Sequence, residues 1–242
     1  MLQHLCKNKR KMFIINFIQF ILLGLWTFIF VYVLTLLLPS RASLWLTTHL
    51  WAPVNALIVM SSIKPEGLEN IDPKKNYIFM ANHTSFFDIP CLFWASKRLL
   101  HFLCKAELRG NILTGFMIRK LDMVFIDRSN AQNSVCSMRH TEEIISKGND
   151  IAIFPEGTRS KTGEMLPFKR GGFKLAIYSN TEIVPVTIKN SAKAWSHSNL
   201  RFRPTKVTVH FHEPISVQGL KDTDALALSK QVFEIINTEL KR

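Results

Sequence analysis

The sequence predicts an α/β protein, with a mostly parallel sheet flanked by helices and an N-terminal hydrophobic membrane hairpin. Short apolar runs typical of buried strands alternate with helical patterns from about residue 64 onwards. Two stretches without an Asp, Glu, Lys or Arg side chain, 12–38 and 42–60, precede this alternation. Polar clusters follow two of the apolar runs directly, at the edge where parallel sheets place their active sites.

The first apolar stretch, residues 12–38, is long enough to cross a membrane, because it exceeds the roughly 20 residues that span hydrocarbon. Four basic residues lie between Lys7 and Lys11. By the positive-inside rule they predict that the N-terminus stays in the cytoplasm. A cleaved signal peptide is disfavoured, because the apolar core is long and no small-x-small cleavage site follows it.

The second apolar stretch, residues 42–60, predicts a return arm, with a turn at residues 39–41. Its polar and aromatic side chains favour an interfacial or re-entrant arm over a deep span. These side chains are Trp45, His49, Trp51, Pro53 and Asn55. The alternative is a helix that packs on the globular domain. We therefore divide the chain into a membrane-anchoring segment, 1–63, and a globular domain, 64–242.

The globular domain shows the alternation that defines its fold class. Strand-like runs occupy residues 77–80, 101–104, 123–126, 151–154, 184–188 and 207–211. Helical patterns occupy residues 86–96, 130–147, 172–178 and 222–240. The four cysteines are scattered without CxxC spacing, which argues against a disulfide framework or a structural zinc site.

The first polar cluster, Asn-His-Thr-Ser-Phe-Phe-Asp at 82–88, follows the first apolar run. A histidine can take a proton from a hydroxyl near neutral pH. A nearby carboxylate can fix its tautomer. His83 and Asp88 are therefore a candidate base and its orienter. The alternative is a helix cap at Thr84 or Ser85, and both interpretations can hold together.

The second polar cluster, Phe-Pro-Glu-Gly-Thr-Arg-Ser at 154–160, also follows an apolar run. Gly157 permits a tight turn, and Arg159 offers a planar fork suited to phosphate. With this cluster the chain resembles the glycerolipid acyltransferases of the lysophosphatidic acid acyltransferase type. That family carries four ordered blocks, and the resemblance spans about residues 64–214. The matching segments here are 82–88, a strand ending in Arg at 124–128, 154–160, and an apolar-Pro-apolar strand at 183–186.

The resemblance implies transfer of a fatty acyl group from acyl-CoA or acyl carrier protein to the free sn-2 hydroxyl of lysophosphatidic acid. His83 would act as the base and Asp88 as its orienter, with backbone N–H groups near Gly157 or after His83 as candidate oxyanion donors. No metal or cofactor is implied. The substrate-binding residues implied are Glu156, Gly157, Thr158, Arg159, Arg128 and Lys105. For Glu156, ligand contact and an ion pair with Arg159 are both open.

The formal net charge of +13 favours an anionic partner, either a membrane surface or a phosphorylated substrate. No nucleic-acid-binding pattern is present in the sequence, so nucleic acid is disfavoured. The expected location is the inner, or cytoplasmic, membrane, with membrane lipids as partners and the catalytic domain facing the cytoplasm. Two alternatives remain. One is an acyltransferase for another acceptor, such as a lyso-ornithine lipid or lysophosphatidylglycerol, and the other is a non-catalytic lipid-binding protein.

Overall fold

The computed structural model describes residues 2–127, 131–160, 162–195 and 201–242. Its strands are β1 Ser62–Glu66, β2 Ile78–Ala81, β3 Leu100–Lys105, β4 Val124–Ile126, β5 Asp150–Ile153, β6 Ile183–Lys189 and β7 Lys206–Phe211. Its helices are α1 Leu2–Ile29, α2 Ser40–Leu46, α3 Ala52–Ile58, α4 Asp88–Ser96, α5 Ile112–Lys120, α6 Ala131–Ser146, α7 Gly171–Tyr178, α8 Ser191–Ala194 and α9 Ala225–Lys241. This architecture confirms the predicted α/β class.

The strands form one seven-stranded sheet in the order β1-β7-β6-β2-β5-β3-β4. Every neighbouring pair is parallel except β6 and β7, so β1 and β7 run opposite to the rest. The central strands β2 and β5 are fully buried, because helices cover both faces of the sheet. Their carboxyl ends therefore open side by side at one edge.

The side chains of β2 alternate between two separate cores. Phe79 packs in a core with Phe93 of α4 and with Trp51, the residue just before α3. Met80 packs on the opposite face with residues of α7 and α9, including Phe173. This alternation follows from the two-residue repeat of a strand, and it holds the polar residues that follow β2 at a fixed height above the sheet.

The N-terminal segment forms two packed helical arms. The first arm is α1, which continues through a π-helical segment, Phe30–Leu34. The second arm runs from α2 through another π-helical segment, Thr47–Trp51, into α3. The arms contact each other where Gln19 Nε2 donates to the carbonyl oxygen of Ile58 at 2.8 Å. The turn between them covers residues 35–39, slightly before the predicted 39–41.

The two arms differ in their surroundings. Within the described residues, one helical stretch, Met12–Leu34, is long and apolar enough to cross a membrane. The second arm buries Leu44, Trp51 and Ala52 in the same core as residues of α4. One face of residues 42–60 thus packs on the globular domain, as the alternative expected. Trp45, Leu57 and Met60 in the same stretch are more than half exposed, so an interfacial arm stays a prediction.

Three elements were not predicted from the sequence. Strand β1 begins at Ser62, inside the segment assigned to the membrane anchor, and it pairs with β7 at the edge of the sheet. It contains Pro65, which argues against a strand but is tolerated at an edge. Helices α5 and α8 were also missed. In addition, α4 begins at Asp88 rather than near residue 86, because residues 84–87 form a tight loop.

Candidate active site

The carboxyl end of β2 carries a histidine and a carboxylate in direct contact. His83 Nδ1 lies 2.7 Å from Asp88 Oδ2. Asp88 is fully buried at the first turn of α4, while the side chain of His83 is 14% exposed. The structure therefore brings together the two residues that the sequence proposed as base and orienter, with the imidazole reaching solvent and the carboxylate enclosed.

The hydrogen bonds to Asp88 determine the tautomer of His83. The backbone N–H groups of Thr84 and Ser85 both donate to Oδ2 at 2.8 Å. An oxygen that already receives two N–H donors acts as an acceptor, so the proton in the contact with His83 belongs to Nδ1. Nε2 of His83 is consequently left with a free lone pair. That atom can accept a proton from a substrate hydroxyl.

Ser85 stabilises the loop around this pair. Its Oγ accepts the N–H of Phe87 at 3.0 Å and donates to the carbonyl oxygen of Trp195 at 2.8 Å. Ser85 is fully buried. The side chain thus forms a local turn and a long-range tie, a role related to the capping alternative, and it is unsuited to act as a nucleophile.

The imidazole of His83 is held by an aromatic ring that the sequence analysis did not single out. The ring of Phe154 stacks on it, with centroids 3.9 Å apart and planes 12° from parallel. Phe154 is the first residue after β5, His83 is the second residue after β2, and these two strands are paired neighbours. The positions of both residues just beyond neighbouring parallel strands could have predicted the contact.

Glu156 braces the same edge of the sheet. One carboxylate oxygen accepts the N–H of His83 at 2.6 Å, and the other accepts the N–H of Leu166 at 2.8 Å. Glu156 is 2% exposed. Burial raises the pKa of its carboxyl to about 7, against the two backbone hydrogen bonds, which lower it, while the charge of Asp88 adds to the rise.

These contacts differ from both sequence-based alternatives for Glu156. Its two oxygens bind backbone N–H groups, so the ion pair with Arg159 is not formed, and little of the carboxylate is accessible to a ligand. The geometry therefore favours a positioning role, in which Glu156 fixes the backbone of His83 against the loop that carries Arg159.

Gly157 and Thr158 form the turn after Glu156. Gly157 has a φ of 71°, in the left-handed region that favours glycine, and its N–H donates to the carbonyl oxygen of Phe154 at 2.9 Å. Thr158 is exposed. The N–H groups of Gly157, Thr84 and Ser85 are thus engaged within the protein, which does not support them as oxyanion donors in this conformation.

Arg159 contributes a guanidinium that forms no ion pair with the described residues, and we call it uncommitted for that reason. Its Cζ lies 3.4 Å from the ring centroid of Phe86, and its Nη1 is buried without a hydrogen-bond partner among the described residues. Partial burial lowers the pKa of Arg159, and the carboxylate of Asp88 opposes that change. The guanidinium is therefore available to an anionic ligand near the His83–Asp88 pair.

The remaining sequence-predicted residues are less closely tied to this pair. Lys105 is exposed at the carboxyl end of β3, the same edge of the sheet, because β3 pairs in parallel with β5. Arg128 lies outside the described residues. Asn82 has a structural role that its place in the sequence motif did not indicate. Its Oδ1 accepts the N–H of Ile188 at 2.8 Å, and its Nδ2 donates to the carbonyl oxygen of Ile188 at 3.0 Å. This clamp joins the end of β2 to β6.

An imidazole, a buried carboxylate bonded to it and a guanidinium without an ion-pair partner among the described residues lie together at one edge of an α/β sheet, an arrangement that can take a proton from a hydroxyl and hold an anion. The profile of the Acyltransferase family matches residues 62–189, more than half of the chain. The chain belongs to this family, which confirms the resemblance inferred from the four sequence blocks.

Relatives in the family share substantial sequence with this chain. A coconut protein named 1-acyl-sn-glycerol-3-phosphate acyltransferase is 34% identical over 146 residues, 60% of this chain and 47% of its own length. A Saccharomyces cerevisiae protein of the same name is 32% identical over 189 residues, 77% of this chain and 62% of its own. The chain therefore spans about half to two thirds of the length of these relatives.

A solved structure resembles this one over nearly its full length. The crystal structure of the 1-acyl-sn-glycerophosphate (LPA) acyltransferase PlsC from Thermotoga maritima superposes with a TM-score of 0.79. The two sequences are 25% identical, and the match covers 96% of each chain. The likeness thus extends through the N-terminal arms as well as the sheet.

Proposed function

We propose that this protein transfers a fatty acyl group from a thioester donor to the free sn-2 hydroxyl of lysophosphatidic acid, giving phosphatidic acid. The observation that carries this proposal is the 2.7 Å contact between His83 and Asp88 beside the uncommitted guanidinium of Arg159. The names of the coconut and yeast relatives support the same activity. A base serves the acceptor hydroxyl, and a cation serves the acceptor phosphate.

In the proposed reaction, Nε2 of His83 takes the proton of the acceptor hydroxyl as its oxygen attacks the thioester carbonyl. Asp88 stabilises the imidazolium that forms, through the bond at Nδ1. The tetrahedral intermediate then collapses, the carbon–sulfur bond breaks, and His83 returns the proton to the departing thiolate. No covalent acyl-enzyme is needed, since the acceptor hydroxyl is itself the nucleophile.

The acceptor phosphate would bind Arg159, because a guanidinium can form two parallel hydrogen bonds to phosphate oxygens. Lys105 and Arg128 are candidates for supporting charges, and Gly157 and Thr158 for shaping the turn around the ligand. Glu156 would act indirectly, by holding the backbone of His83 and of the loop before Leu166.

The test of this function is an acyl-transfer assay with purified protein. We would compare lysophosphatidic acid, lysophosphatidylglycerol and a lyso-ornithine lipid as acceptors, each with acyl-CoA and with acyl carrier protein as the donor. We expect the highest kcat/KM with lysophosphatidic acid. A preference of tenfold or more for an acceptor without a phosphomonoester would contradict the proposal.

We further propose that α1 attaches the protein to a membrane, with both the N-terminus and the catalytic domain on the cytoplasmic side. The outward face of this helix is strongly apolar, with Phe13 at 71% and Val33 at 63% exposure. The opposite stripe packs on the rest of the protein through residues such as Leu23 and Phe30. A helix packed in this way keeps its domain on the side of the thioester donor.

Cysteine labelling can test this arrangement. In a background without the four native cysteines, single cysteines would replace Lys9 and the exposed Lys147. We expect a membrane-impermeant thiol reagent to label neither site in intact cells and to label both after lysis. Labelling of the Lys147 site from outside intact cells would overturn the cytoplasmic assignment.

A further inference from the structure

The guanidinium of Arg159 rests on an aromatic ring rather than on a carboxylate. Its Cζ lies 3.4 Å from the centroid of Phe86, at van der Waals contact with the ring. Among the described residues, no carboxylate forms an ion pair with Arg159, and its Nη1 makes no hydrogen bond, although the charge of the nearby Asp88 acts on the guanidinium. Phe86 itself is 43% exposed, so its ring lies at the surface of the site.

A guanidinium that packs on an aromatic ring keeps its charge and its hydrogen-bond donors free, whereas one paired with a carboxylate does not. A carboxylate would neutralise the guanidinium and occupy its N–H groups, so that an incoming phosphate would have to displace it. The face of a phenyl ring attracts the cation through its quadrupole and uses none of its hydrogen-bond donors. The charge and the donors of Arg159 thus remain for a ligand.

We propose that Phe86 is a positioning residue, whose ring presents Arg159 to a phosphomonoester beside His83. This inference rests on the proposed function, since it assigns the ligand of Arg159 as the acceptor's phosphate. The half-buried guanidinium supports it, because among the described residues its Nη1 makes no hydrogen bond that a phosphate would have to displace.

The loop that carries the catalytic pair also fixes Phe86. Its neighbours in the chain, Ser85 and Phe87, are fully buried, and the Ser85 hydroxyl joins the N–H of Phe87 to the carbonyl oxygen of Trp195. The ring of Trp195 packs beside that of Phe86, with centroids 5.5 Å apart. The segment from His83 to Asp88 therefore fixes the positions of both the candidate base and the Phe86 ring that contacts Arg159, which we call the platform.

This arrangement makes a specific prediction for substitutions of Phe86. Phe86→Leu keeps much of the apolar bulk but removes the π face, whereas Phe86→Tyr keeps the face. We expect Phe86→Leu to raise the KM for lysophosphatidic acid about tenfold, in the range of a partly desolvated cation–π contact, with a much smaller change in kcat. Phe86→Tyr should restore the KM to within about twofold of wild type.

Matched controls separate this effect from general loss of packing. Phe233→Leu removes another half-buried ring, which packs edge-on against Phe168 at 5.2 Å outside the site. We expect it to leave the KM unchanged. Phe86→Met serves as a second ring-free variant if Phe86→Leu folds poorly, and circular dichroism would check both. With monoacylglycerol as the acceptor, the loss in Phe86→Leu should be clearly smaller than with lysophosphatidic acid.

A binding measurement keeps the inference testable apart from the reaction. Glycerol 3-phosphate would be titrated into the purified protein in detergent and followed calorimetrically. We expect weaker binding by about tenfold in Phe86→Leu and near-normal binding in Phe86→Tyr. Equal binding by wild type and Phe86→Leu, or no binding by wild type, would overturn the inference. Binding of the expected pattern without acyl transfer would instead refute the proposed function and leave the platform standing.

Discussion

The two edges of the sheet both hold buried charges, but they treat them in opposite ways. At the amino edge, Asp150 accepts Arg98 Nε at 2.6 Å and Nη2 at 3.2 Å, together with the N–H of Tyr77 at 2.9 Å. At the carboxyl edge, Asp88 Oδ1, Arg159 Nη1 and Trp195 Nε1 are buried without hydrogen-bond partners among the described residues. The buried charge of the first edge is thus paired, whereas polar atoms at the second edge make no hydrogen bond to the described residues.

This difference identifies the functional edge better than cavity size does. A cavity of about 630 Å³ lies at the amino edge, bordered by Arg98, Asp150 and Arg41. Its central ion pair is already complete, so it offers little unmet hydrogen bonding to a ligand. One further unbonded atom, Nδ1 of His210, lies between β7 and α9, 3.6 Å from Glu239, where that carboxylate partly compensates it.

The largest expected effect is the loss of acyl transfer when the proposed base at the carboxyl edge, His83, or its partner Asp88 is replaced. His83→Ala should abolish acyl transfer, because it removes Nε2, the atom that takes the proton in the proposed reaction. Asp88→Asn should lower kcat on the order of 10⁴-fold, since the amide cannot hold the required tautomer. Steady-state kinetics on purified protein checks both, with the half-exposed His140→Ala as the control. Near-normal turnover in His83→Ala would remove the base assignment.

The next effect concerns the amino edge and should appear in stability rather than catalysis. Arg98→Ala leaves Asp150 buried without its cation, which should lower the free energy of unfolding by about 3 kcal/mol. The exposed pair of Lys174 and Asp222 is the control, and Lys174→Ala should cause a much smaller loss, because solvent screens an exposed ion pair. Denaturant unfolding in detergent measures both. Similar losses of unfolding free energy in the two variants would contradict the claim that the amino edge holds a stabilising buried ion pair.

Arg159 allows a finer test of the carboxyl edge. Arg159→Lys should lower kcat/KM for lysophosphatidic acid by roughly 10- to 100-fold, because a point ammonium cannot form the bidentate contact. The loss should be much smaller with monoacylglycerol, which lacks the phosphate. Arg119→Lys on the exposed surface of α5 is the matched control. Equal losses with both acceptors would indicate a structural role for Arg159.

The last effect is a pH dependence of stability at Glu156. Its pKa is raised to about 7 in the folded protein, so between about pH 4.5 and 7 the folded state holds a proton that the unfolded state has lost. Stability should therefore decline as the pH rises through that window. Glu156→Gln should flatten the decline, which unfolding curves at pH 5 and pH 8 can measure. An unchanged slope in this variant would exclude Glu156 as its source.

The sequence predicted the central sheet well and its margins poorly. Each of the six predicted strands is present with ends shifted by about one residue, because buried parallel strands are continuous apolar runs bounded by polar residues. Strand β1 was not predicted, because an edge strand needs no continuous apolar run and tolerates Pro65. The packing of the second N-terminal arm on the sheet domain was left open by the sequence, because apolar residues that pack on a protein core look the same in sequence as those that meet lipid.

By itself, the sequence determined the fold class, the family and the pairing of His83 with Asp88, because these depend on residues close together in the chain. The tertiary structure alone decided what Glu156, Phe154 and Phe86 contact. Their partners come from other strands and loops, and the direction of a side chain at a strand end depends on which neighbours fill the space around it. Local spacing can place a base beside its orienter, but only packing decides whether a charge is satisfied or left for a ligand.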